Sequence, residues 1–200
     1  MASRGIKQQV ETSADDVSSL RHVLVVGGTT AEWESLSVDH WAARRNDLAK
    51  VVAHAGAMWL TIRPYRAGTA NVEDQVAGQR DQTRIVERVI DVREGCTVIV
   101  DPSPDGRLRL LAAIDQLRDL APETVDEAAI AAVLMAPAPA EPDLTVILGQ
   151  RQQLPPSLVW ELAYSEIVYI DTPWNELAAA HVEHAIEAYS RRHRRFGGIE

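Results

Sequence analysis

A chain of 200 residues, 46% apolar and 24% charged, has the size and composition of one globular domain with a core of its own. Its formal net charge of −9 argues against general nucleic-acid binding, which needs spread positive charge. A single cysteine, Cys96, excludes an internal disulfide and fits a reducing cytosol, and no apolar run approaches the ~20 residues that span a bilayer. These features predict a cytoplasmic protein with no transmembrane segment, and at most peripheral membrane contact through a complex.

Residues 1–20 are polar and aperiodic and read as a flexible arm; residues 21–200 read as a single domain. HVLVVGG (22–28) is a short β-branched run closed by glycines, the pattern of a buried parallel strand. Residues 39–56 predict a helix capped by Asp39 and stopped by Gly56, with Trp41, Leu48, Val51 and Val52 on its apolar face. MWLTIRPY (58–65) predicts a second strand ended by Pro64, and 66–83 a loop. Strands are predicted at 84–92 and 96–102, a turn at 103–107 and a helix at 108–120. A second helix at 124–135 carries a Thr124-to-Glu127 capping box and precedes the stiff linker 136–142. A strand at 143–149 follows, then a helix at 154–166 with Pro155 and Pro156 near its first turn. A strand at 167–171 leads to a last helix at 175–195, where Val182, Ile186 and Tyr189 share one side. Strands alternating with helices predict an α/β fold with a mostly parallel central sheet flanked by helices.

Four stretches could carry chemistry. The glycines of VVGGTTAEW (25–33) either make a tight strand exit or present N–H groups to a phosphate, although no GxGxxG or P-loop lysine accompanies them. HVEH (181–184) has histidine spacing that can hold a metal, or it is a solvated helix face; no metal site is assigned. His40, His54 and Cys96 form no ligand or nucleophile set, and Cys96 reads as a small core residue. WELAYSEI (160–167) suits core, interface or active site. The tail RRHRRFGGIE (191–200) satisfies a helix C-terminus, but four arginines in five positions also suit an anion site.

From Asp143 onward the sequence resembles the cis-prenyltransferase family, the undecaprenyl diphosphate synthase type. WELAYSE (160–166), TPWNE (172–176) and RRFGG (194–198) fall in register with that family's Trp-x-x-Ala-Tyr-x-Glu, Trp-Pro-Asp-Phe and Arg-Arg-Phe-Gly motifs. HVLVVGGTTAEW (22–33) is similar to its first strand and Asp-Gly-Asn-x-Arg-Trp loop, with Trp33 in register and in a structural role. The resemblance also locates departures. The family's metal-binding aspartate falls at Gly28 and its loop arginine at Glu32. Its phosphate-binding arginines fall at Ile147 and Gln153, and its magnesium-holding glutamate at Arg151. The stretch 66–107 lacks the long helices that wall the family's product tunnel, a shortened tunnel region. Ionising an allylic diphosphate needs Mg²⁺ and cations against the leaving group, so this combination implies a chain inactive alone.

What survives is Arg195-Phe196-Gly197, similar to the Arg-x-Gly that crosses the dimer interface to the isopentenyl diphosphate site. SPDGRLRLLAAIDQLRDL (103–120) is similar to the accessory Nogo-B receptor type, which lost the aspartate but keeps the tripeptide. The resemblance therefore implies a non-catalytic subunit that pairs with a catalytic cis-prenyltransferase homologue. Arg195, Gly197 and Gly198 would contact isopentenyl diphosphate in trans; Trp160, Glu161, Tyr164, Glu166 and Tyr169 would form the dimer interface. No catalytic residue and no bound cofactor are assigned to this chain, and Mg²⁺ is expected in the partner. The alternative is a divergent homodimeric prenyltransferase acting on allylic diphosphates, with Glu32 or Glu34 as replacement metal ligand. A binding module for an isoprenoid or phosphate is a third reading.

Overall fold

The computed structural model describes residues 20–66, 88–149 and 154–196, with side chains to Arg192. In chain order the elements are β1 (His22–Val26), α1 (Thr30–Glu34), α2 (Val38–His54), β2 (Trp59–Arg63), β3 (Val89–Arg93) and β4 (Cys96–Val100). There follow α3 (Gly106–Gln116), α4 (Glu127–Met135), β5 (Leu144–Leu148), β6 (Glu166–Ile170) and α5 (Ala179–Phe196). The six strands form one sheet in the order β3-β4-β2-β1-β5-β6. All neighbours pair in parallel except β3, which folds back antiparallel onto β4. That hairpin turns through Glu94 (φ 52°) and Gly95 (φ 81°), the two positive dihedrals a tight two-residue turn requires.

The pleat sends alternate side chains to opposite faces, and the two faces differ in chemistry. On the first, Val23, Val25, Leu60, Ile62, Val98, Val100, Leu144 and Val146 make an apolar floor. It is covered by Leu48, Ala49 and Val52 of α2 and by Val182, Ala185, Ile186 and Tyr189 of α5. On the second face, Leu24, Val26 and Ile147 pack with Leu158, and Ile99 packs with Met135 and Ala138. Between those clusters stand polar side chains that are also buried: His22, Thr61, Arg63 and Thr145.

Local chemistry places most boundaries. Ser37, Asp105 and Asp126 cap α2, α3 and α4 by accepting first-turn N–H groups. The α2 cap is thus Ser37, with Asp39 inside the first turn. Thr124 is spent on Ala121 O within a 3-10 turn, Pro122–Thr124, so α4 starts at its Asp126 cap instead of through a Thr124 capping box. Residues 174–176 form another 3-10 turn, and α5 therefore begins at Ala179.

The predicted helix at 154–166 is not one. Its chain runs through turns to a single 3-10 turn, Glu161–Ala163. The carbonyls a helix would need are used elsewhere: Pro156 O accepts from Gly106 N (3.0 Å) and Ser157 O from Arg109 Nη2. Of the strand predicted at 84–92, Val89 onward is β3, and residues 84–87 lie outside the described residues, as do the arm at 1–19 and most of the loop at 66–83.

His22 gives the fold a pH dependence. Its ring is 2% exposed, and Nδ1–H donates to Ala140 O (2.9 Å) while Nε2 accepts from the Thr61 hydroxyl (2.9 Å). Burial pushes its pKa from 6.5 down to about 4, so the folded chain keeps the ring neutral where the unfolded chain protonates it. Stability is then full above pH 6.5 and falls as pH drops toward 4, by on the order of 3 kcal/mol from this group. Denaturant unfolding at pH 7.5, 6 and 4.5 measures the loss, and a His22→Gln variant is expected to lack this part of it.

Candidate functional site

The first loop leaves the sheet at Gly27 and Gly28 and turns into α1. Three of its N–H groups are engaged: Gly27 N donates to Arg63 O (3.0 Å), Thr29 N to Glu32 Oε2 (2.6 Å) and Thr30 N to Arg66 O (3.3 Å). The Thr29 hydroxyl in return accepts from Glu32 N, completing a capping box. Of the two readings of these glycines, the tight strand exit is the one the geometry supports.

Three indoles seal the loop from below. Trp33 is 1% exposed and donates Nε1–H to Gly27 O (2.9 Å), and Trp41 donates to Trp33 O (3.1 Å). Trp33 stacks on Trp174 at 5.4 Å and meets Trp41 edge-on at 4.9 Å. Arg44 lies over the Trp174 ring, its guanidinium carbon 4.6 Å from the centroid. Gly28 has φ +73°, and a Cβ there would stand 2.6 Å from Trp174 Cγ. Only glycine fits.

On the second face of the sheet lies a buried group of four charges that the sequence reading missed. Arg63 donates Nε–H to Asp101 Oδ2 (3.1 Å) and Nη1–H to Glu161 Oε1. Arg109 of α3 approaches the same carboxylates, with Nε 3.7 Å from Asp101 and Nη2 3.5 Å from Glu161. Burial and the neighbouring Arg63 cation lower the Arg109 pKa to about 10, still charged at neutral pH. The available signal was Arg63 and Asp101 standing at the ends of two apolar strands, each followed by proline.

The expected interface residues separate. Tyr164 is 45% exposed; its hydroxyl donates to Glu127 Oε1, and its ring lies 5.6 Å from that of Trp160. Tyr169 is half-buried against the Leu24 cluster, and Glu166 accepts from Arg192 Nη1 (2.8 Å). Glu161 is corrected: at 2% exposure it is turned inward to Arg63 and offers nothing to a partner. Of the emptied family positions, Ile147 is fully buried core, while Arg151 and Gln153 lie outside the described residues. Arg195 falls in the last turn of α5; Gly197 and Gly198 lie outside the described residues. Two tail arginines have partners within the chain: Arg192 on Glu166 and Arg191 near Glu187 (3.7 Å).

The residues of the first loop do not fit a magnesium ion. Gly28 supplies no ligand, Trp174 occupies the space, and one Glu32 oxygen is held by Thr29 N. His181 of the HVEH stretch accepts from Ala178 N through Nδ1 (3.1 Å), a capping role. Among the described residues no three His, Cys, Asp or Glu side chains converge into a metal-binding group. Cys96 is fully buried, its thiol pushed up to about 11 by that burial, as a core residue.

A mostly parallel sheet with helices on both faces, a first-strand loop closed by tryptophan and a C-terminal basic helix define an α/β protein of prenyltransferase architecture. Residues 68–197 match the family described as "Putative undecaprenyl diphosphate synthase", and the chain belongs to this cis-prenyltransferase family. It is 30% identical over 179 residues to an isoprenyl transferase of Geobacillus kaustophilus, covering 82% of this chain and 69% of that protein. Over 81 residues it is 38% identical to a trans,polycis-polyprenyl diphosphate synthase of Thermobifida fusca, 40% of this chain and 29% of that one. Its fold is shared with lavandulyl diphosphate synthase from Lavandula x intermedia, at TM-score 0.57 and 16% identity over 86% of this chain and 95% of the other. A probable undecaprenyl diphosphate synthase from Campylobacter jejuni gives TM-score 0.57 and 15% identity over 89% and 98%.

Introducing an aspartate at Gly28 should not create a metal site. Gly28→Asp is expected to destabilise the chain by about 2–4 kcal/mol, from the positive φ and the clash with Trp174. Thermal unfolding reads that loss, and melting measured with and without Mg²⁺ should show no stabilisation by the ion.

Proposed function

We propose that this chain is the non-catalytic subunit of a heteromeric cis-prenyltransferase that makes polyprenyl diphosphates. Its support is the first loop: the family's metal-binding aspartate is Gly28, and the Trp174 indole stands where that side chain would be. The arginine position is Glu32, committed to its own helix cap, and a phosphate-binding position of the late strand is the buried Ile147. Diphosphate ionisation without these groups lacks the charge that would stabilise the leaving group. The catalytic homologue would then supply the Mg²⁺ site, and this chain would lend Arg195 and the N–H groups near Gly197 and Gly198 to the partner's isopentenyl diphosphate. Trp160, Tyr164 and Tyr169 would lie at the shared interface, apolar anchors with polar edges. The homodimeric reading needs Glu32 or Glu34 as a metal ligand, and the capping box already holds Glu32.

The test is reconstitution. This chain and a homologue that keeps the aspartate are purified and assayed for incorporation of isopentenyl diphosphate, alone and mixed. No turnover by this chain alone, weak turnover by the homologue alone and a clear gain on mixing are expected; Mg²⁺-dependent turnover by this chain alone, or no gain on mixing, contradicts the proposal. Arg195→Ala should leave the complex assembled and lower kcat/KM for isopentenyl diphosphate by roughly 10–100-fold, the worth of one charge-assisted hydrogen bond.

A further inference from the structure

The stretch 154–165 is tied to its surroundings more densely than its irregular backbone suggests. Pro156 O and Ser157 O bind α3 through Gly106 and Arg109; Glu161 binds Arg63 of β2; Tyr164 binds Glu127 of α4; Ser165 and Thr145 of β5 share a hydrogen bond of 2.6 Å. At the centre of these ties is Glu161, the one carboxylate of the stretch that is fully withdrawn from water.

Stability alone is a poor account of this arrangement. Buried ion pairs lose in desolvation what they gain in attraction, and apolar replacements are commonly as stable. This group also leaves Glu161 Oε2, Arg109 Nε, Ser157 Oγ and Trp160 Nε1 buried without a hydrogen-bond partner among the described residues. What charges provide and methyl groups do not is direction. The Arg63 fork is aimed by Asp101 on one side and by Glu161 on the other, which allows one position for residue 161. Tyr164 is thereby set at the surface, its ring 5.6 Å from that of the half-buried Trp160, which packs on Ile99, Met135 and Ala138.

We propose that Glu161 is a positioning residue for the surface that meets the partner: the buried charges hold Trp160 and Tyr164 in the form a homologous chain recognises. The partner side of this statement rests on the function proposed above; the positioning side belongs to this chain by itself.

The decisive variant is Arg63→Met/Glu161→Met, which removes one charge of each sign and leaves Arg109 facing Asp101. Three quantities are read on the full-length protein: melting temperature, amide hydrogen exchange at 158–165 against β1 and β5, and affinity for the aspartate-bearing homologue. The expected result is melting near that of the wild type, exchange at 158–165 about tenfold faster with the sheet unchanged, and affinity down by about tenfold. Wild-type exchange at 158–165 in a variant of normal melting overturns the positioning role. Should that variant not fold, Glu161→Gln serves: exchange rising first at 158–165 supports the proposal, and exchange rising uniformly through the sheet overturns it. A wild-type chain that protects 158–165 but binds no homologue contradicts the proposed function while upholding the positioning role.

Discussion

The contact on which the architecture turns is that of the Trp174 indole with the bare Cα of Gly28. It joins the exit of β1 to the connection between β6 and α5, at the carboxyl end of the parallel strands. Everything near it follows from the need to bury three indoles at once. Trp33 must lie under the loop to stack on Trp174, its N–H needs the Gly27 carbonyl, and Trp41 needs the carbonyl of Trp33. The Trp33 and Trp41 N–H groups are thus both bonded, while Trp174 Nε1 is buried without a hydrogen-bond partner among the described residues. A loop organised this way is a structural joint.

The two faces of the sheet divide the remaining work. The first is apolar across its buried strands and carries the helices that supply most of the core, α2 and α5. The second has a polar line across it: His22 with Thr61, Arg63 with Asp101 and Glu161, Thr145 with Ser165. Arg63–Glu161 and Thr145–Ser165 reach from the sheet to the irregular chain that covers this face, while His22–Thr61 and Arg63–Asp101 join neighbouring strands. Apolar packing there would be tolerant of position; hydrogen bonds and ion pairs are not. The result is a covering layer with little secondary structure whose place is nonetheless set.

Two of the C-terminal arginines are used within the chain. Arg192 holds Glu166 at the edge strand and so fastens α5 to β6, and Arg191 lies one turn from Glu187. These partners answer part of the charge excess that a helix C-terminus alone does not require.

Much of this protein follows from local sequence. The β-branched runs ending in Gly or Pro, and the Ser and Asp caps ahead of apolar helical periods, determine the parallel sheet and the helices α2, α3 and α4, because those signals act within a few residues. The positions Gly28, Glu32 and Ile147 could be singled out because they stand beside stretches that resemble the family. Tertiary structure decided the rest. The stretch 154–166 has the periodicity of a helix, yet α3 takes its carbonyls and Arg63 takes Glu161, partners 98 residues or 48 residues distant in the chain. The ion group at Arg63, Asp101, Arg109 and Glu161 exists only once β2, β4 and α3 are assembled, and no spacing announces it. A local pattern states what a segment prefers; a buried charge accepts whichever geometry satisfies it, and that choice belongs to the assembled fold.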